Sequence, residues 1–478
     1  MISASGLARL LGEPATNLPR HRWLTDALRT LIVDGRLPYG EPLPSERLLT
    51  AALGLSRTTV SRAYAQLRDA GYLTSRQGSG HAAALPRADA SVGVRGAILP
   101  PSHGDASVID LTCAAGRAPS GMAEAFAAAL EALPNYLPSS GYATFGLPEL
   151  RELIARRFTE RGLPTDADQI MVTSGALAAV NIALRTLVAS GRRVLVETPS
   201  YPNSIAAARR AGAQLTSIAV EPDGWDAEAS SLVIASTRPA VAVLIPDFHN
   251  PTGSLMPDAD RERLAFALRR AGTIPIVDET LVEVRLDAGP TPAPFGVHAS
   301  RCITVGSASK SHWGGLRIGW LRAPEALLPR LRQARITEDL GAPIMEQLVL
   351  CELLRHDPGL HPDRHAALLA SRAAMERALP DALPGATWRT PAGGLWLWVQ
   401  LPGRTAGLLA DAAEAEGLLI TPGTQFAATH GHDRFVRLPF SEPAATITDA
   451  MGRLGRAARA AEAAPTRARR TPRRPLVA

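Results

Sequence analysis

The sequence predicts an α/β protein: a small helical head, a linker, and a large domain built on a mainly parallel sheet. Three observations carry that expectation. Residues 18–82 hold short amphipathic helical patterns that end in a glycine-rich stretch. Residues 83–107 mix Pro, Gly, Ser and Ala with no sustained period and read as a linker. Across 108–456, apolar strand-like runs alternate with amphipathic helices, the pattern of a buried sheet covered by crossover helices. The 478 residues, 46% hydrophobic and 20% charged, suffice for two or three soluble domains.

In the head, Leu24, Ala27, Leu28 and Leu31 share one helical face, and Gly35 supplies a stop. Ser45 is an N-cap for a helix over Glu46–Leu53. Gly54, Leu55 and Ser56 make a short turn, and Ser56 caps a further helix over 57–70. Two helices joined by a glycine-containing three-residue turn form a helix-turn-helix pattern. The segment YLTSRQGSGH that follows can fold as a two-stranded wing. Arg57, Thr58, Thr59 and Ser61 stand at the exposed start of the last helix, where short hydroxyls and a guanidinium can meet base edges and phosphates. A helical protein-binding module would show the same turn. The LPSER opening, SRTTV, GYL and QGSG together resemble the winged helix of GntR-type transcription regulators. That resemblance implies a double-stranded DNA operator as partner, contacted by Arg47, Ser56, Arg57, Thr58, Thr59, Gln77 and Gly78.

The large domain contains the chain's one lysine, Lys310, against fifty arginines. Arg substitutes for Lys where only charge is needed, but its guanidinium stays protonated and cannot attack a carbonyl. A lysine kept in VGSASKSHWGGLRIGW, at the end of a strand-like run, is therefore a candidate for Schiff-base chemistry. Pyridoxal phosphate asks for an amine, phosphate donors, an acid at its ring nitrogen and a flat face over the ring. Lys310 offers the amine. Ser174, Gly175 and Ala176 open a helix after a strand, where backbone N–H groups can hold a phosphate. Tyr201 follows the strand-like VLVE and can stack on a ring. Asn250 in HNPTG can donate to a ring oxygen, and Asp278 ends the run IPIVD. Each segment alone fits an ordinary turn, a packed loop or a surface ion pair; their order along the chain is what points to one site.

Together HNPTG and SASKSHWGGLRIGW resemble fold-type I, class I aminotransferases over some 340 residues within 108–456. The resemblance implies Lys310 as the Schiff-base lysine, Asp278 at the ring nitrogen, Asn250 at the ring oxygen and Tyr201 on the ring face. Ser174, Gly175, Ala176, Ser307 and Arg317 would hold the phosphate of pyridoxal 5'-phosphate. Tyr142 in GYATFG would reach the phosphate of a partner subunit, which implies a head-to-tail homodimer, and Arg437 in FVRLPF would pair with a ligand carboxylate. One departure stands out. The family's Tyr shortly after the ring-nitrogen Asp is missing from Asp278-Glu279-Thr280-Leu281, which leaves Thr280 as a possible replacement.

Head plus large domain resemble the MocR subfamily of bacterial regulators. That implies a transcription regulator sensing an amino compound, or the cofactor itself, through the Lys310 aldimine. A catalytically active aminotransferase with a fused DNA-binding domain is the alternative reading, and a scaffold without cofactor is a third.

No apolar run approaches the ~20 residues of a membrane span, and the first residues lack a signal pattern. Cys113, Cys302 and Cys351 show no metal spacing and fit a reduced, cytoplasmic protein. Net charge is +6 with a pI near 9.7, and residues 466–474, TRARRTPRR, fall in an expected basic disordered tail over 457–478.

Overall fold

The computed structural model describes residues 2–13, 19–33, 36–37, 42–76, 80–84, 108–356, 359–403 and 405–463. They divide into two compact units, one within Met1–Ala97 and Ala118–Ala127, the other within Ile98–Arg117 and Ala128–Ala478. Gly35, Gln77, Gly78, residues 85–107 and residues 464–478 lie outside the described residues.

The first unit contains helices α1 (Ala4–Leu11), α2 (Arg20–Val33), α3 (Glu46–Leu53) and α4 (Arg57–Asp69), then strands β1 (Leu73–Arg76) and β2 (Gly80–Ala83). The helix-turn-helix forms as its caps dictate. Ser45 Oγ accepts the N–H of Leu48, Gly54 takes a left-handed conformation at φ 62°, and Ser56 Oγ accepts the N–H of Thr59. Leu24, Leu28 and Leu31 face a core shared with Leu49, Val60, Tyr64 and Leu67. β1 and β2 pair antiparallel as the wing, with Leu73 opposite Ala83. Helix α1 lies ahead of the expected boundary at residue 18. Eight residues make a marginal helix in water; Ser3 caps it, and Leu7 and Leu11 bury into the same core.

In the second unit, β3 (Ile109–Asp110) comes first. A large sheet follows from β4 (Ile170–Thr173), β5 (Arg193–Thr198), β6 (Gln214–Glu221), β7 (Gly224–Trp225), β8 (Val241–Leu244), β9 (Ile274–Asp278), β10 (Ile303–Ser307) and β11 (Gly319–Arg322). Its order is β4-β11-β10-β9-β8-β5-β6-β7. Neighbours from β10 through β6 pair in parallel, while β11 is antiparallel to both β10 and β4. Every residue of β4, β8, β9, β10 and β11 is buried, as their near-continuous apolar runs require. Asp278 pairs in register with Val305, so Asp278 and the turn carrying Lys310 share the carboxyl edge of the sheet, where open α/β folds bind ligands.

A second, antiparallel sheet joins β12 (Trp396–Gln400), β14 (Thr421–Pro422) and β15 (Phe435–Pro439), while β13 (Leu418–Leu419) pairs parallel with β3. Arg437 sits on the central strand, opposite Trp398 and Thr421. Helices Pro362–Ala382 and Ala444–Ala463 supply Leu368, Met375, Ile447 and Leu454 to the core beneath this sheet. The final helix carries the fold through Ala463, so residues 457–463 belong to it rather than to the expected tail. Among the described residues, no helix is long and apolar enough to cross a membrane.

Candidate cofactor and ligand site

Strand β10 delivers Ser307 to the sheet edge, and the next turn, Ala308–Ser311, carries Lys310. The Lys310 Nζ donates to the Ala114 carbonyl at 3.0 Å. Burial lowers its pKa from 10.5 to about 8; the charges of Arg437 and Arg364 push the same way, while Cys113 and Asp278 oppose them. This amine reaches its neutral, nucleophilic form far more readily than a surface lysine does.

Asp278 closes β9 and is buried. Burial raises its pKa, against the pull of Thr280 and Lys310. Thr280 aims two groups at the Asp278 carboxylate: its backbone N–H at 2.9 Å, and its hydroxyl. The hydroxyl expected as a replacement for the missing Tyr is thus on the side of Asp278. Thr280 supports Asp278 through its backbone N–H.

Arg437 is fully buried on β15. Its Nη2 donates to the Thr112 carbonyl at 2.6 Å and its Nη1 to Asn250 Oδ1 at 3.3 Å, while its Nε has no partner. The guanidinium lies over the rings of Trp396 and Phe426, 5.3 and 5.0 Å from their centroids. Burial lowers its pKa to about 10. Because Arg only donates, the Asn250 atom facing it must be the oxygen, which turns the amide N–H₂ of Asn250 the other way. Tyr201 stands just before the helix Pro202–Arg210, against Trp398 and Phe426. Its hydroxyl accepts from Asn203 Nδ2 at 2.9 Å, and burial raises its pKa.

The segment Ser174, Gly175, Ala176 joins β4 to the helix Ala176–Leu187, whose N-terminus has no side-chain cap. Its first N–H groups therefore remain available to an anion. Gly175 adopts φ 95°, and a Cβ there would come 2.6 Å from an Arg317 nitrogen. Arg317, at φ 51°, directs Nη2 at the Ser174 carbonyl, 3.4 Å away. Gly319 allows equally close approach: a Cβ there would lie 2.5 Å from the Ala176 nitrogen. Ser307 donates its hydroxyl proton to the Ile318 carbonyl at 3.3 Å and accepts the Ser309 N–H at 3.1 Å, tying the lysine turn to the Arg317 loop.

Lys310, Asp278, Asn250, Arg437 and Tyr201 thus converge, with the segment 174–176, Ser307 and Arg317 at the same sheet edge. Tyr142 stands apart from them, 69% exposed. Sequence reasoning missed the backbone run 112–116 and also Arg364. Arg364 lies on the helix Pro362–Ala382 as one arginine among fifty, and its sequence context carries no signal that sets it apart. In the head, Arg47, Ser56, Arg57 and Thr58 are exposed and Thr59 is partly so. Ser61 departs from expectation: half-buried, it donates to the Glu46 carboxylate and so ties α4 to α3.

Fold and site together define a winged-helix head fused to an aminotransferase-like, cofactor-binding domain. Residues 118–454 match the aminotransferase class I and II family, and residues 18–82 match the gntR family of bacterial regulatory proteins. The chain belongs to these families in combination, as a member of the MocR subfamily of GntR-type regulators. It is 26% identical over 457 residues to the HTH-type transcriptional regulator YdfD of Bacillus subtilis, covering 89% of this chain and 93% of that one. It is 32% identical over 334 residues to the probable rhizopine catabolism regulatory protein MocR of Rhizobium meliloti, covering 65% and 66%. A solved α-aminoadipate aminotransferase from Thermus thermophilus, complexed with N-(5'-phosphopyridoxyl)-L-leucine, superposes with a TM-score of 0.68 at 27% identity. That match covers 75% of this chain and 94% of the other. The cofactor of the domain is pyridoxal 5'-phosphate, and the residues present fit it: an uncapped helix start beside Arg317, a buried acid and a half-buried amine of lowered pKa.

Proposed function

We propose that this chain is a transcription regulator whose head binds a double-stranded operator and whose large domain senses a small amino compound at the Lys310 site. One observation carries the reading. A single chain joins an exposed recognition-helix start to a lysine, a buried acid and a buried arginine that together can hold cofactor and ligand, but lacks the Tyr that would be a second donor to the ring oxygen beside Asn250.

When bound, the cofactor supplies an electrophilic aldehyde and an electron-withdrawing ring. The chain's residues do the rest. Lys310 provides the amine that meets the aldehyde, and its lowered pKa keeps a useful fraction neutral near pH 7–8. Asp278, oriented by Thr280, faces the ring nitrogen. Asn250, its oxygen pinned by Arg437, directs N–H₂ at the ring oxygen. Tyr201 covers a ring face, while the N–H groups of 174–176, Ser307 and Arg317 take the phosphate. Arg437 offers its unpartnered Nε to a ligand carboxylate. Thr280's commitment to Asp278 removes one control on proton movement at the ring, which favours sensing over turnover.

Tyr142 is exposed together with Leu137, at 69% each, beside the helix Pro148–Glu160. This supports a homodimer in which Tyr142 of one subunit completes the phosphate site of the other. Arg47, Ser56, Arg57, Thr58, Thr59, Gln77 and Gly78 are the proposed DNA contacts, and the cytoplasm is the compartment that gives them DNA. Ligand control of DNA binding requires the ligand to prefer one arrangement of the chain over another.

The test combines absorbance with DNA binding. Purified protein carrying its cofactor should change its spectrum on addition of a recognised amine and change its operator affinity over the same concentration range. Multiple turnover between amino acids and keto acids at about 1–10³ per second would instead establish an enzyme.

A further inference from the structure

Two neighbouring helices on the large sheet leave apolar and cationic side chains outside the fold. The helices Ala227–Thr237 and Asp258–Ala271 precede β8 and β9, and both bury one face in the same core. Ala227 and Ile234 come from the first, Leu264, Ala265 and Leu268 from the second. Their ends are tied together, because Thr273 donates its hydroxyl proton to the Pro239 carbonyl at 2.7 Å. Outside that core the two helices open a groove of about 660 Å³. Arg263, Phe266, Ala267, Arg270 and Ala271 form one wall, at positions i, i+3, i+4, i+7 and i+8 of a single helix face. Glu228, Ser231 and Ala235 form the other, at i, i+3 and i+7, and Arg238 stands at its end.

The groove is apolar and cationic at once. Leu232 is 67% exposed and Phe266 53%, and Ala229 and Ala235 are exposed as well. The helix Ala227–Thr237 thus carries apolar residues on its outer face as well as its inner one, as in a helix packed on both sides. Three arginines line the groove against one acid, Glu228. Among the described residues Arg238, Arg263 and Arg270 make no ion pair, whereas Arg261 of the same second helix meets Asp247 at 2.6 Å. A fourth guanidinium, that of Arg269, lies 5.3 Å from the centroid of the Phe266 ring. Helix dipoles favour cations at the two C-terminal ends, which accounts for Arg238 and Arg270 but not for Arg263, two turns earlier. Arg238 closes its helix at φ 43°, a left-handed conformation that favours glycine, and yet places a long charged side chain in the groove.

We propose that this groove docks an acidic amphipathic helix of another protein. Its apolar residues, at every third or fourth position, pack on Phe266, Leu232 and the alanines between them, and its carboxylates pair with Arg238, Arg263 and Arg270. The eleven residues of the first helix span ~16 Å, so the groove takes about three turns. Other occupants match this surface less well. Residues 464–478 carry five arginines and no acid, and residues 85–107 have two Arg, two Asp and several helix-breaking Pro and Gly. A second copy meeting through this face sets groove against groove and leaves both unfilled. Duplex DNA uses the arginines and leaves Leu232 and Phe266 uncovered. The arginine end of the groove lies where β8 and β9 begin, at the edge of the sheet opposite Lys310. The partner therefore binds apart from cofactor and ligand, and the proposal stands independently of the sensing function.

A displayed library of peptides of about sixteen residues tests the chemistry without assuming a sequence. Leu recurs at every third or fourth position, and the other positions are random among Glu, Gln and Lys. Selection uses the full-length, cofactor-loaded chain. The selected peptides should be richer in Glu than in Lys. In fluorescence titrations they should bind Phe266→Ser and Arg270→Glu about ten-fold or more weakly than the wild type. Changing Glu to Lys in a selected peptide should weaken its binding to the wild type and restore its binding to Arg270→Glu. Cofactor absorbance should be the same in both variants, which shows them folded; Leu232→Ser takes the place of Phe266→Ser if that chain misfolds. No preference for Glu over Lys, or equal binding by the wild type and both variants, would overturn the proposal. So would a change of oligomeric state in Phe266→Ser, which would give the groove to a second copy. Loss of operator affinity in Arg270→Glu with peptide binding intact would give it to DNA and overturn the proposal too.

Discussion

Replacing Arg437 by Leu should make the ligand-free protein as stable as the wild type or more so while abolishing its response to amino acids. The cost of keeping this guanidinium charged can be worked from its surroundings. Burial moves its pKa from 12.5 to about 10, and at ~1.4 kcal/mol per pKa unit that is ~3 kcal/mol against the folded state. A base whose folded pKa is depressed loses stability on folding at every pH below the folded value. The penalty fades as pH rises from about 10 toward 12.5, so at pH 8 it is fully present. Leu removes the charge but strands the Thr112 carbonyl and Asn250 Oδ1, which returns ~1–3 kcal/mol. The net expectation at pH 8 is a gain of ~0–2 kcal/mol, read by denaturant or thermal unfolding of protein without ligand. Ligand affinity, followed by absorbance titration, should fall at least ten-fold for any carboxylate-bearing amine, as expected from losing a charge-assisted pair. A variant destabilised by ~3 kcal/mol or more with ligand affinity intact would refute the reasoning, because Arg437 would then be a structural element and not an anchor held for a ligand.

Other substitutions probe separate parts of the account. Gly175→Ala forces a side chain into φ 95° and toward Arg317, and should weaken cofactor binding at least ten-fold in an equilibrium titration. Thr280→Val keeps the backbone N–H to Asp278 but loses the hydroxyl, and should cost ~1 kcal/mol of cofactor affinity. If Thr280→Tyr raised transamination, that would agree with Thr280 lacking a ring-oxygen role; Thr280→Val abolishing the spectrum altogether would contradict it. Ser56→Ala removes the cap that starts the recognition helix and should lower head stability by ~1 kcal/mol, measured by thermal unfolding. Arg57→Ala should reduce the salt dependence of DNA binding by about one counterion, seen in the slope of log affinity against log salt.

The sequence made the head legible almost to the residue because capping is local. Ser45, Gly54 and Ser56 each set a helix boundary through contacts within three residues. Helix α1 was hidden because its stability comes from burying Leu7 and Leu11 in a core formed by residues far along the chain. The parallel sheet was readable from its unbroken apolar runs, and with it the edge carrying Asp278 and Lys310. The lysine needed no alignment to stand out, since fifty other cationic positions had gone to arginine. Arg364 was illegible for the opposite reason. Its place beside Gly116, 248 residues away, and its bond to the His312 carbonyl come from the fold and leave no trace in local sequence. Thr280 shows the same limit on a shorter scale: its position was evident, but only the folded chain shows its hydroxyl committed to Asp278.

The central claim is that the Lys310 site governs the DNA-binding head, and it has one direct measurement. The full-length chain, loaded with pyridoxal 5'-phosphate, is titrated onto an operator selected from a random DNA library by the chain itself, with and without a saturating amino acid that changes its absorbance spectrum, in wild-type and Lys310→Ala forms. The wild-type affinity should shift at least five-fold on adding the amine, as a coupling of ~1–3 kcal/mol implies, and Lys310→Ala should bind the operator with no shift. An unchanged wild-type affinity, or the same shift in Lys310→Ala, would contradict it.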